Sequence, residues 1–192
     1  MISPKLGLVA LLLVTTNSAA AQDWTAGAVA QSLEGPAHEA LMALIKRDTT
    51  VLAPFETDGC SGGLSDTWKM VATNYPNFVP VHQSKPPWES CCVTHDRAYH
   101  NAANAPDAAS SFAARQVADA ALRACVIETG ESRVTDLVQE YDVTPDQVAA
   151  AYDGIAQAMY LAVRFGGAPC SGLPWRWGYG YPGCTVLTGA FD

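Results

Sequence analysis

Two adjacent cysteines, Cys91 and Cys92, open the stretch CCVTHDRAYH, and they constrain this chain more than any other feature. Neighbouring cysteines cannot easily bond to each other, so each needs a partner elsewhere. Four more are present, Cys60, Cys125, Cys170 and Cys184. An even number in an exported protein reads as three disulfides. Metal binding is the competing reading, but no C-x-x-C pair or zinc-like His spacing speaks for it.

Export is read from the N-terminus. Lys5 precedes the apolar run LGLVALLLV and then TTNSAAA. A charged start, a short apolar core and an A-x-A site form the pattern of a signal peptide over residues 1–21, cut after Ala21. The run is too short to anchor in a bilayer, and no later stretch is long and apolar enough to span one. The expectation is an exported protein, periplasmic or secreted, whose residues 22–192 form one domain. The 192 residues carry 19 acidic against 11 basic side chains, a net charge of −8. That balance disfavours nucleic acid and anionic lipid as electrostatic partners.

The rest reads as an all-α chain with long loops. Helical spacing of apolar residues predicts helices over 35–47, 88–103, 110–128 and 144–165. Pro86 and Pro87 precede the second, and Gly130 stops the third. The fourth opens with TPDQ, where Thr144 caps, Pro145 takes the first helical position and Gln147 returns the capping-box bond. Residues 61–90 form a long connection with little periodicity. Residues 166–192 form a loop rich in Gly, Pro and aromatics.

On the second helix Cys91, His95, Ala98 and Ala102 share a face; on the third, Cys125, Ala121, Ala118 and Ala114 do. If the helices run antiparallel with Cys91 bonded to Cys125, Ala98 faces Ala118 across a seam of small residues. His95 is then level with residues 119–121, where Asp119 is the acid. A His paired with a carboxylate is a general base of fixed tautomer. Asp96 points about 100° away around the helix and is left to bind a cation. Other ligands for it lie in TDGCSGGLS, a glycine-rich stretch that bends sharply and exposes carbonyls to which calcium binds. The plainer alternative is an ordinary turn held by a disulfide.

At these residues the chain resembles a known family. CCVTHDRAY looks like the active-site helix of secreted phospholipases A2, DGCSGG resembles their calcium loop, and ADAALRAC is similar to their second helix. The resemblance covers roughly residues 57–128. It implies an all-α fold built on a disulfide-linked antiparallel helix pair, with extra helices and loops. It places His95 as general base, Asp119 as the carboxylate that orients it, and Tyr99 as a hydrogen-bond partner of that carboxylate. Asp96 falls on a calcium ligand, and Gly59, Ser61 and Gly63 fall on the loop carbonyls. Cys60–Cys92 and Cys91–Cys125 correspond to two of the family's disulfides. Two departures stand out. A further family disulfide would join positions occupied here by Ala98 and Ala118, and Ser61 stands where the family commonly has Gly.

The implied chemistry is calcium-dependent hydrolysis of a glycerophospholipid ester at a membrane or micelle surface, by a monomer. No G-x-S-x-G elbow is present, which counts against a serine lipase. The alternative is a secreted calcium- or lipid-binding module that has lost turnover. His38, His82 and His100 read as ordinary surface or loop histidines, Asp107 as a helix cap, and Glu89 and Asp58 as solvated, with Asp58 a minor candidate for calcium. In PWRWGYGYPGC, an extended chain would put Trp175, Trp177, Tyr179 and Tyr181 on one face, with Cys170–Cys184 closing the loop. That face either packs on the helices or seats the protein on lipid.

Overall fold

The computed structural model describes the backbone of residues 18–60 and 63–184, with side chains from residue 28 onward. Most of the expected signal segment and Ser61 lie outside the described residues. The helices are α1 (Ser18–Ile45), α2 (Leu64–Asn74), α3 (Val79–His82), α4 (Glu89–His100), α5 (Ala108–Ser132), α6 (Val134–Tyr141) and α7 (Pro145–Gly166). Short 3-10 turns span Pro76–Phe78 and Ala102–Asn104, and no strand occurs among the described residues. None of the described helices is long and apolar enough to cross a membrane. The chain divides into two compact units, residues 1–33 and 34–192. The second unit holds the three disulfides and the buried core.

Local chemistry sets the helix starts. Asp107 caps α5 by accepting from the Ser110 N–H at 2.8 Å. At α7 the full capping box forms: Thr144 Oγ1 accepts from Gln147 N at 3.3 Å and Gln147 Oε1 accepts from Thr144 N at 2.8 Å. Each cap satisfies backbone N–H groups that have no partner inside the helix.

The boundaries depart from expectation in four places. Helix α1 begins at Ser18 rather than near Gly35, and it carries Pro36 inside. The connection 61–90 contains α2 and α3; in α2, Leu64, Trp68, Val71 and Ala72 turn inward at helical spacing. Helix α6 follows α5 directly. Gly130 does not stop α5, which runs through it to Ser132. Its role is packing: a Cβ there would collide with the Tyr152 ring of α7.

The core has two centres. Around the first, Trp88, Leu122, Val126, Leu137 and Tyr152 are buried together, drawing on α4 to α7. Around the second, Leu41 and Met42 of α1 pack with Tyr99, Ala102 and Trp177. The disulfides are Cys60–Cys92, Cys91–Cys125 and Cys170–Cys184, the same pairs that the sequence led us to expect.

The C-terminal loop is not an extended ribbon. It folds as successive turns, with Gly172 and Gly178 at positive φ, so its aromatics do not share one face. Trp177 is wholly buried, edge-on to Tyr99 at 4.9 Å, and its indole N–H donates to Ser111 Oγ at 2.9 Å. The loop also closes the end of α4. Gly178 N donates to Tyr99 O at 2.6 Å and Gly180 N to His100 O at 2.9 Å, satisfying carbonyls that the helix leaves open. This approach requires glycine, since a Cβ at Gly180 would meet the His100 ring and one at Gly178 would meet Leu41.

These contacts make Trp177 a structural residue. Trp177→Ala should destabilise the protein by about 3–5 kcal/mol, the usual cost of removing a buried large aromatic. Phe165→Ala, at a side chain 84% exposed, should change stability by less than about 0.5 kcal/mol. Urea unfolding followed by circular dichroism checks both.

Candidate active site

Helices α4 and α5 run antiparallel, because contacts step up one as they step down the other: Cys91 to Cys125, His95 to Asp119, Tyr99 to Arg115. The buried stripe of α5 is Ser111, Arg115, Asp119, Leu122 and Val126. Ala114, Ala118 and Ala98 pack beside it, partly buried, but Ala121 faces water and so lies outside the seam.

On this scaffold His95 Nε2 lies 3.0 Å from Asp119 Oδ1. Tyr99 donates its phenol proton to the same oxygen at 2.6 Å. Arg164 of α7 donates to the other oxygen, Oδ2, at 2.9 Å. Asp119 has no exposed surface, and both its oxygens are occupied. Burial alone would raise its pKa, but the bonds from His95 and Tyr99 and the nearby guanidinium groups outweigh it, so the carboxyl titrates below its ordinary range. An ionised Asp119 accepts only, so Nε2 of His95 carries the proton and Nδ1 of the neutral ring is basic. Burial would lower the His95 pKa, yet hydrogen bonds with Asp119 and Asp96 and their charges raise it overall. Nδ1 lies 3.9 Å from Asp96 Oδ1.

A second layer of charge surrounds this pair. Arg115, wholly buried, donates through Nε to the Tyr99 hydroxyl at 3.2 Å. Its Nη2 reaches the carbonyls of Val163 and Arg164 at 2.8 and 2.9 Å, capping the end of α7. Arg115 and Arg164 both also bind the Glu34 carboxylate. Two acids and two bases thus neutralise each other, with Arg115 and Asp119 wholly buried and Glu34 and Arg164 at the edge of solvent. Sequence reasoning missed Arg115, Arg164 and Glu34. The available signal was Arg115, four residues before Asp119 on a stripe otherwise continued by Leu122 and Val126.

Asp96 faces the loop before α2. Thr57 donates to Asp96 Oδ2 at 2.6 Å, and Gly59 N donates to Thr57 Oγ1 at 3.0 Å. Cys60–Cys92 ties the same loop to α4. Gly59 has φ 82°, and a Cβ there would press on Ser65 Oγ and the Glu89 carboxyl, so both conformation and space call for glycine. Gly63, at φ 81°, is the N-cap of α2, and its carbonyl accepts from Thr67 N at 2.8 Å.

Two cavities meet at this point. One, of about 100 Å³, runs beside His95 between apolar walls given by Leu64, Leu122, Met159, Val163 and Trp175. The other, of about 340 Å³, is acidic, with Glu56, Asp58 and Asp96 among its walls. Asp96 and Trp175 line both. By its spacing Trp175 reads as part of an aromatic ribbon, and the fold brings it to the site instead.

Three expectations about single residues are corrected. His38 is fully buried and hydrogen-bonded to Ser111 Oγ at 2.8 Å through Nδ1, because α1 packs that face inward. His100 is buried edge-on between Phe55 and Tyr179, under the C-terminal loop. Glu89 is not solvated: its side chain is 15% exposed, and it binds Lys85 Nζ at 2.8 Å and Ser65 Oγ at 3.3 Å.

Asp119→Asn tests the ionic layer. It leaves Arg164 facing a neutral group and should lower stability at pH 7 by about 3–5 kcal/mol. The folded carboxyl titrates below its unfolded value. Its contribution is therefore present above the unfolded pKa of about 3.9 and is lost as pH falls through the lower folded value. Thermal melts from pH 7 to pH 3 should show the gap between wild type and variant closing below about pH 4.

No family model, no curated protein and no solved structure matches this chain.

Proposed function

We propose that this protein is a calcium-dependent lipid ester hydrolase of the phospholipase A2 type, built on an α4–α5 helix pair of that kind. One observation carries the reading. A buried, ionised Asp119 holds the proton on His95 Nε2, which leaves Nδ1 basic beside an apolar slot that shares Asp96 with an acidic cavity.

The cation is judged on donor chemistry. Glu56, Thr57, Asp58 and Asp96 offer oxygen donors to one cavity, and all the described cysteines are in disulfides. Such a set suits a hard divalent cation rather than zinc or copper. Among the described residues no three His, Cys, Asp or Glu side chains converge as a cage. A site made from one carboxylate and main-chain carbonyls needs none. Asp96 would hold the ion, with the loop carbonyls near Gly59. Gly63 O already serves α2, which leaves it one lone pair. Bound there, calcium supplies a Lewis acid for the ester carbonyl.

The chain's own residues do the rest. The acyl part of the substrate enters the slot between the apolar side chains of Leu64, Met159 and Trp175. His95 Nδ1 takes a proton from a water molecule as its oxygen attacks the ester carbonyl carbon. Asp119 stabilises the imidazolium that forms, and Tyr99 and Arg164 keep that carboxylate in place. As the tetrahedral intermediate collapses, the glycerol alkoxide leaves and takes the proton from His95. The products are a fatty acid and a lysophospholipid.

His95→Gln removes the base, and Asp96→Asn or a chelator removes the cation. Each should lower phospholipid hydrolysis by about a hundredfold or more, while the variants keep the wild-type melting temperature within a few degrees. Mixed micelles with a titrimetric assay of released fatty acid serve as the readout. Hydrolysis that survives both variants and chelator sinks the mechanism. Lipid binding without turnover in the wild type favours a non-catalytic module on the same scaffold.

A further inference from the structure

The acidic cavity is larger than a metal ion needs. Its volume of about 340 Å³ exceeds the roughly 150 Å³ that encloses a benzene ring. Glu56, Asp58 and Asp96 give it negative charge, and Pro174, Trp175 and Tyr179 give it aromatic and apolar walls. Among the described residues no basic side chain lines it. Arg97, the nearby cation, is instead held over the Phe55 ring at 4.5 Å.

The walls are tied to one another. Tyr179 donates its phenol proton to Glu56 O at 2.7 Å, and Thr57 donates to Asp96 at 2.6 Å. The 56–58 segment is therefore pinned to the C-terminal loop on one side and to α4 on the other.

We infer that this cavity receives the trimethylammonium end of a choline head group. Carboxylates together with Trp and Tyr rings are the surroundings that a quaternary ammonium selects, since its methyl groups donate no conventional hydrogen bond and its charge is attracted to ring faces. A primary ammonium would leave N–H donors unpaired against Pro174 and Trp175, and a small inorganic cation would have to shed water to touch them. The inference rests on the lipid-esterase reading for its biological meaning, because Asp96 and Trp175 place the cavity next to His95. It adds a head-group preference: zwitterionic choline lipids over anionic ones, whose charge Glu56 and Asp58 repel while Asp96 is committed to the cation.

The test measures binding apart from turnover. Saturation-transfer NMR reads contact between the full chain and tetramethylammonium chloride, with chelator present and sodium chloride matching the ionic strength. Transfer to the methyl protons is expected, saturating in the millimolar range. Tyr179→Leu should weaken it by about tenfold and Glu56→Gln by about threefold, while Tyr179→Phe, which keeps the ring, should stay within about twofold of wild type. If Tyr179→Leu loses its melting transition, the exposed Glu56→Gln change carries the comparison. Absence of transfer, or transfer that Glu56→Gln and a folded Tyr179→Leu leave unchanged, overturns the inference. So does equal competition by sodium, which marks an inorganic cation site only.

A second arm compares hydrolysis of phosphatidylcholine and phosphatidylglycerol vesicles. A choline preference that falls in Glu56→Gln supports the inference. Methyl transfer with no ester hydrolysis overturns the proposed function and keeps the site. Hydrolysis of both lipids alike, with no methyl transfer, does the reverse.

Discussion

Asp119 sits on α5 out of contact with water, and its two oxygens accept from His95 and Tyr99 of α4 and from Arg164 of α7. Taking a carboxylate out of water is costly unless its lone pairs are filled by charged or strongly polar donors. Here three donors from two other helices fill them, so the carboxylate stays ionised only in this arrangement of α4, α5 and α7. The same bonds set the tautomer of His95. The interaction that holds the helices in register is thus also the one that leaves Nδ1 as the basic nitrogen of the neutral His95 ring.

The second layer explains why such a charge is tolerated. Arg115 and Arg164 are both bound to Glu34, and Arg115 also satisfies the last carbonyls of α7. A guanidinium has five N–H donors in a fixed plane, and the fork suits it to bridge a carboxylate and a helix end together. Replacing Glu34 or Arg164 alone leaves the wholly buried Arg115 or Asp119 short of a partner. The group therefore behaves as a unit, and its members should show strong coupling rather than additive effects.

Around this centre the disulfides and the C-terminal loop do different work. Cys60–Cys92 and Cys91–Cys125 anchor the start of α4 to the glycine-rich loop and to α5. The C-terminal loop closes the other end, through Gly178 and Gly180 on the carbonyls of Tyr99 and His100 and through Trp177 in the core. With both ends fixed, His95 and Asp96 are held on a rigid segment between two cavities. Trp175 and Tyr179 come from the same loop, so the element that caps α4 also builds the walls beside Asp96.

Much of this was legible from residue spacing. Adjacent cysteines, a His four residues after the first of them, and an Asp six residues before Cys125 are enough to bring His95 and Asp119 to one level on antiparallel helices, because the α-helical period is fixed. The caps at Asp107 and Thr144 were equally local, since each needs only residues within one turn. Tertiary structure alone decided the rest. Arg164 is 45 residues from Asp119 in sequence, and Glu34 is 81 from Arg115, so no local pattern links them. Gly130 has the composition of a helix stop, but it is a contact with Tyr152 set by the approach of α7. The aromatic loop alternates as an extended strand would, yet among the described residues no neighbouring strand is present to pair its backbone. Its N–H groups go instead to the open carbonyls at the end of α4, and that bends it into turns.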